Sequence, residues 1–463
     1  MILSKIRHAW LLIVSLLIGL MAFWQMIVRV DGTIPGRYAT GLGVLAVLCV
    51  VLAILLGYRL PFSAQAILPC IVLLSAIGIT MITRIDLAQI QNGMKSDVGM
   101  RQIMWVGIAL VICAVLVLVL RDYRQLRKFS YTSMVIGIVL LLSPMLPGLG
   151  REINGARIWI HFGSYSLQPA EFAKLFLAVF FAAYLFDHRD TLAVGGPKVL
   201  GIRFPRLKDF GPILVVWVIS MGVLILQHDL GTSLLFFAMF VGMLYVATGR
   251  ASWIAIGFGF FAVGVVIAAR LFSNFSNRVQ IWLDPFSQSI YTRTYGGSYQ
   301  VVQGLFGMAT GGLMGTGLGH GHPSITPFAN SDFVYASLGE ELGLTGLIAI
   351  LVLYLIIIGA GFMTAMKIKD GFGKLLVSGL VFSMAFQVFV VVGGITLVIP
   401  LTGLTLPYIA AGGSSLIANW MLATLVLIIS NAANRVDADD DMSDTTFRVE
   451  AVKALKRKER VTQ

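Results

Sequence analysis

A few ionisable side chains stand at the ends of long apolar runs, and their types and spacing point to chemistry before any fold is drawn. In LQPAEFAKLF, Glu171 and Lys174 are three residues apart, so on a helix they share one face. Pro169 suits a first helical turn, and an acid such as Glu171 there complements the helix dipole. Lys174 falls a turn deeper in apolar surroundings, where a cation costs at least about 2.5 kcal/mol unless paired or snorkelled to the interface. A Glu171–Lys174 pair is one solution and an anionic ligand head group is another. In QHDLGTS, Asp229 fits the N-cap of the next helix. His228 has no second ligand at metal spacing and reads as structural. In SDFVYASLGEELG, Asp332 sits at the mouth of an apolar helix, where a cap is again the simple expectation. Glu340 and Glu341 follow about 12 Å further along if that helix is regular. Two adjacent acids there must face protein or water rather than lipid.

The acids at Asp332, Glu340 and Glu341 close a long connection, Arg270 to Glu341, that is too polar and glycine-rich to span a bilayer. Ten glycines fall between Gly296 and Gly321. They lack the spacing and following Lys of a phosphate-binding P-loop. Long connections of this kind are functional or disordered, and this one carries aromatics that disordered tails lack. It is expected to fold as a cap over one membrane face, its glycines letting short helices pack closely or re-enter the membrane edge. Arg278 and Arg293 lie among its aromatics, a mixture suited to a sugar or head-group surface and also ordinary for an interfacial loop.

What must position these residues is a membrane bundle. The chain has 463 residues, 58% hydrophobic and 12% charged, with mean hydropathy +0.89. A water-facing surface needs more charge than that. Apolar runs recur near 8–28, 41–57, 63–83, 102–120, 129–147, 170–186, 210–227, 231–248, 252–271, 343–366, 375–398 and 411–432. Each approaches the roughly 20 residues needed to cross hydrocarbon. They are continuous rather than alternating, which selects helices over a barrel. The predicted class is therefore all-α, polytopic, with about 12 transmembrane helices. The first run follows Lys5 and Arg7 but has no small-residue cleavage site behind it, so it is expected to be retained. Cys49, Cys70 and Cys113 all lie in apolar runs and make neither a disulfide frame nor a metal site.

The net charge of +12 is distributed by side of the membrane, which excludes nucleic acid as its explanation. With both termini in the cytoplasm, 23 of 34 Lys and Arg fall inside with 12 acids, and 11 fall outside with 10. The inner face then carries +11 and the outer +1, the positive-inside pattern. The expected domains are an N-terminal transmembrane hairpin (1–62), a membrane core (63–434) holding the extracytoplasmic loop 272–342, and a cytoplasmic tail (435–463). The basic end of that tail suits either an anionic membrane surface or a loose polar tail.

With these pieces in order, the chain resembles the SEDS family, the shape, elongation, division and sporulation proteins of RodA and FtsW type. The matching stretches are NGARIWI, LQPAEFAKL, QHDLGTS, GGSYQVVQGLFGMATGGLMGTGLG, SDFVYASLGEELGLTG and LTGLTLPYIAAGGSS, in the family's order. The family core has ten helices, so the N-terminal pair looks like an addition. Asn330-Ser331 stands where the family often has His-Thr, and Pro407 to Ala411 departs from its common LPLISYGG pattern. The short segment before the first apolar run leans toward the elongation type, RodA-like rather than FtsW-like.

The resemblance implies an inverting peptidoglycan glycosyltransferase that polymerises lipid II on the outer face of the bacterial plasma membrane. It implies a class B penicillin-binding protein as partner. It makes Asp332 the catalytic aspartate and carries family roles onto Glu171, Lys174 and Asp229. On that footing Asp332 is the expected base, with Lys174 and Arg157 or Arg278 meeting the leaving pyrophosphate. A divalent cation, Mg or Mn, held by Asp229, Glu171 or the Glu340–Glu341 pair is left open. The competing class is a flippase for the lipid-linked precursor, and a third is a non-catalytic scaffold. A transporter should carry its ionisable groups near the midplane, whereas here they cluster at the outer ends.

Overall fold

The computed structural model describes residues 2–32, 34–153, 156–163, 165–189, 198–199, 202–203, 207–227, 229–271, 273–293 and 296–435. His228 and the tail beyond residue 435 lie outside the described residues.

Backbone groups in lipid must be satisfied within the segment, and the described chain answers with helices. They are α1 (Ile2–Val30), α2 (Gly36–Arg59), α3 (Ile67–Gln91), α4 (Val98–Val119), the short α5 (Gln125–Lys128) and α6 (Ser130–Leu142). After a small sheet come α7 (Pro169–Asp187), α8 (Leu207–Leu226), α9 (Leu230–Thr248) and α10 (Ser252–Leu271). The cap contributes α11 (Ser273–Leu283), α12 (Gln288–Tyr291) and α13 (Tyr299–Gly311). The last three are α14 (Val334–Lys367), α15 (Gly371–Ile395) and α16 (Gly413–Arg435). Among the described residues nine helices are long and apolar enough to span a membrane. Three shorter apolar helices, Ser130–Met145, Leu214–Val223 and Ser252–Val266, fall on the remaining expected runs. The protein is a multi-pass membrane protein.

Burial separates centre from rim. The apolar windows of α3, α7 and α16 are each 83% buried within the protein, and those of α1 and α2 only 33% and 22%. The two N-terminal helices lie against different core helices, α1 along α3 and α2 along α4. Cys49, Cys70 and Cys113 are buried and unbonded, as expected of small core residues.

Two features depart from a plain bundle. The loop before α7 folds as an antiparallel three-stranded sheet, β1 (Gly150–Ile153), β2 (Ala156–Phe162) and β3 (Tyr165–Leu167). Its register pairs Arg151 with Trp159 and Ile160 with Leu167. The β-branched and aromatic residues of ARIWIHF favour such pairing.

The second feature is a break in α14. Gly343 has φ 67° and ψ −174°, so Val334–Leu342 is a separate short helix. The glycine-rich loop repairs the exposed backbone. Thr316 N–H and Gly317 N–H donate to the carbonyls of Glu340 and Glu341 at 3.0 and 2.9 Å. Leu344 N–H and Thr345 N–H donate to Gly312 and Leu313 at 2.9 and 3.1 Å. Irregular backbone at membrane depth is tolerated only when protein satisfies it in this way. A Cβ on Gly343 would lie 2.2 Å from Gly315 N, so shape and φ both demand glycine.

Candidate functional site

The long connection between α15 and α16, residues 396–412, is the floor on which the site assembles. Arg278 reaches from α11 and donates through Nη1 to the carbonyls of Leu401 and Thr402 at 3.1 and 2.6 Å. Trp282, one turn on, donates to Leu397 O at 2.9 Å. Ala411 N–H donates to Asn330 O at 2.8 Å, which joins the same connection to the turn carrying Asp332. From below, Gln387 of α15 donates to Thr405 O at 2.9 Å.

Asp332 does not do the capping job its position suggested. Phe333 occupies the N-cap of α14 with no side-chain cap bond. Among the described residues the Asp332 carboxylate accepts no hydrogen bond and forms no ion pair within 4 Å. It is partly exposed, at the entrance of the first turn of α14. Burial pushes its pKa from 3.8 to about 6, against the opposing pull of the Arg278 guanidinium. Arg278 in turn is lowered by burial and held up by Asp229 and then Asp332. A methyl group on Gly403 would lie 3.7 Å from both Arg278 Nη2 and Asp332 Oδ2. The two side chains therefore converge on one glycine.

Asp229 does cap its helix, accepting from Thr232 N–H at 3.0 Å. Its other oxygen accepts from Gln168 Nε2 at 3.3 Å. Burial raises its pKa, the Thr232 N–H opposes that, Glu171 adds to it and Arg278 relieves it. Glu171 and Lys174 pair at 3.0 Å, both buried on α7. Lys174 Nζ also donates to Gln387 Oε1 at 3.1 Å. Of the two readings open for Lys174, the carboxylate partner is the one observed. Arg157, on β2, is exposed, and its backbone N–H donates to Gln227 O at 3.3 Å beside Asp229.

Asp332, Arg278, Asp229, Glu171 and Lys174 thus form one electrostatically linked string. Glu340 and Glu341 stand in a different cluster. Glu340 Oε1 accepts from His322 N–H at 2.6 Å, and Glu341 Oε2 accepts from Gly319 N–H at 3.0 Å. Glu341 Oε1 pairs with Arg84 Nε at 3.1 Å. Sequence reasoning missed Arg84, Gln168 and Gln387. Arg84 falls just past the apolar run expected to end at residue 83, and it is buried because α3 continues to Gln91. Among the described residues no three His, Cys, Asp or Glu side chains form a group that could hold a metal ion.

The string offers a carboxylate able to take a proton near neutral pH, a cation beside it, and backbone fixed by side-chain bonds. That is equipment for general-base chemistry on a substrate with an anionic leaving group.

Comparison with known proteins places this arrangement. The FtsW/RodA/SpoVE family model, described as cell cycle protein, matches residues 64–435. The peptidoglycan glycosyltransferase RodA of Mycobacterium tuberculosis is 44% identical over 377 residues, covering 81% of this chain and 79% of that one. Stage V sporulation protein E of Bacillus subtilis is 32% identical over 339 residues, covering 71% and 86%. Among solved structures, a peptidoglycan synthase complex that coordinates polymerization and crosslinking aligns with TM-score 0.62 at 26% identity, covering 80% of this chain and 98% of the matched one. The rod shape determining protein RodA of Thermus thermophilus aligns with TM-score 0.57 at 24% identity, covering 80% and 97%, a likeness of fold.

Proposed function

This chain belongs to the FtsW/RodA/SpoVE family of cell cycle proteins and is a peptidoglycan glycosyltransferase; on that premise we propose that it polymerises lipid II with Asp332 as its general base. Lipid II carries a disaccharide on a polyprenyl diphosphate. Asp332 takes the proton of the acceptor sugar's 4-hydroxyl as that oxygen bonds to C1 of the donor. The C1–O bond to the diphosphate breaks, and the diphosphate leaves with the electron pair. One such displacement inverts the donor carbon. A base is most useful when its pKa lies near the working pH, and Asp332 at about 6 meets that need.

Arg278 is the cation nearest this chemistry in the linked string, and Arg157 is exposed at the end of the sheet. Both serve the diphosphate. Lys174 and Glu171 support them from beneath by fixing α7 to Gln387 and through it to Thr405. A Mg or Mn ion travelling with the diphosphate would draw a protein oxygen from Asp229, since such ions take one or two carboxylates plus phosphate oxygens. Glu340 and Glu341 act at a distance by holding the loop.

The positive-inside charge pattern supports an orientation with both termini in the cytoplasm and Asp332 at the outer boundary. A class B penicillin-binding protein that crosslinks the product is the fitting partner, in keeping with the likeness to a complex that couples the two activities. The residue reading rests on one observation: a carboxylate at a helix mouth that neither caps nor pairs. The test is polymerisation of labelled lipid II by purified protein in detergent, with and without the transpeptidase. Wild type should give glycan chains and Asp332→Ala none. Full-length polymer from Asp332→Ala rejects the assignment.

A further inference from the structure

The residue that fixes the short Asp332 helix to the membrane core is on α3. Arg84 is 6% exposed and reaches two groups that the break in α14 brings together. Its Nε donates to Glu341 Oε1 at 3.1 Å and its Nη2 to Gly321 O at 2.6 Å. Glu341 Oε2 takes Gly319 N–H at 3.0 Å, and the Glu341 carbonyl takes Gly317 N–H at 2.9 Å. One guanidinium thus ties together the core helix, the end of the helix that begins beside Asp332, and the glycine loop. Immediately beyond, at Gly343, the helix is interrupted, so the membrane-spanning remainder of α14 cannot set the orientation of Val334–Leu342 through a continuous helical ladder.

We propose that Arg84 is a positioning residue for glycosyl transfer, holding Val334–Leu342 through Glu341 and Gly321 so that Asp332 stays aligned with Arg278. It touches no substrate. This rests on Asp332 being the base, and it deepens that reading by naming what aims the base. Displacements of about 1 Å at a reacting group cost about 100-fold in rate, so loss of this tie should appear in kcat and not in KM.

A buried ion pair can also be simple packing, and removing one member leaves the other charge stranded. The deciding variant therefore removes both charges and keeps the volume: Arg84→Met with Glu341→Leu. Apolar replacements of buried pairs are commonly neutral in stability. Lipid II polymerisation is measured per folded protein, with thermal midpoint recorded alongside. The expected result is a wild-type midpoint, a kcat about 10- to 100-fold lower, and a KM within about two-fold of wild type. A folded double variant with wild-type kcat overturns the proposal.

Arg84→Lys is the second variant. A single ammonium cannot serve both Glu341 and Gly321 in the forked manner of Arg84, so its kcat should fall with KM unchanged. Wild-type kcat in that variant also overturns the proposal, whether or not the double variant folds. The controls separate the two ideas. If Asp332→Ala still polymerises, the base assignment fails. If it is dead while both Arg84 variants keep wild-type kcat, only the Arg84 role fails.

Discussion

Arg278 and Asp332 both come to Gly403 without forming an ion pair: a methyl group on that glycine would sit 3.7 Å from a nitrogen of one and an oxygen of the other. The guanidinium is already engaged by two carbonyls, so it lowers the cost of charge on Asp332 without neutralising it. Burial wins the balance and leaves the carboxyl at about 6. A base must be deprotonated to work, so kcat/KM should rise with pH through about 6 and level above it. A pH–rate profile on lipid II checks this, and a flat profile across that range would count against Asp332 as the titrating base.

Replacing Arg278 moves that limb in a known direction. The Arg278 charge favours ionised Asp332, so Arg278→Gln should raise the apparent pKa and shift the acid limb to higher pH. It should also lower the plateau rate, because the diphosphate loses a cation. Loss of one preorganised charge contact typically costs about 10²-fold in kcat. A lower plateau with an unmoved limb would separate Arg278 from Asp332 electrostatically.

Much of this architecture was legible in the chain because hydrocarbon imposes a length. Each of the twelve apolar runs coincides with a helix, including the three short ones. The sheet before α7 was not foreseen, since NGARIWIHF is too short to compete with the surrounding helical pattern. The cap expected of Asp332 rested on position alone, and nothing local indicates that Phe333 takes that place. Arg84 and Glu341 are 257 residues apart in the chain, and no local periodicity connects them. Glu341 stood as a candidate cation ligand because its partner was invisible. The break at Gly343 had a trace, a glycine straight after Glu340-Glu341-Leu342, but its φ is a product of the loop that packs against it.

That break predicts its own variant. Gly343→Ala places a methyl 2.2 Å from Gly315 N and 2.6 Å from Leu313 O. The backbone conformation alone costs a non-glycine residue about 1–3 kcal/mol, before any clash. Purified Gly343→Ala should show a lower thermal midpoint and greater proteolysis of the 312–322 loop than wild type. An unchanged midpoint would mean that the interruption is not built into the resting fold.

The α7 pair makes a sharper stability claim. Lys174 is 1% exposed and is held by Glu171 and Gln387. Lys174→Met strands the Glu171 charge and should destabilise by about 3–5 kcal/mol. Adding Glu171→Gln should recover most of that loss, because a neutral amide leaves no unpaired charge. Thermal unfolding of the two variants tests the coupling. Equal midpoints for single and double variants would show that the pair contributes through packing and not through charge.

The same burial that readies Asp332 for proton transfer should destabilise the fold. Its carboxyl is raised from 3.8 to about 6, so the folded state binds the proton more tightly than the unfolded one. The associated stability is fully present below the unfolded value and is lost as pH rises through the folded value. Asp332→Asn keeps the shape and stays neutral, so it should gain on wild type as pH increases across that window. Its thermal midpoint should exceed that of wild type at about pH 8 by more than at about pH 5, while polymerisation is abolished. A midpoint difference that does not change with pH would mean that Asp332 titrates at its ordinary value in the fold. The carboxylate would then be a weaker base than the geometry around Gly403 implies.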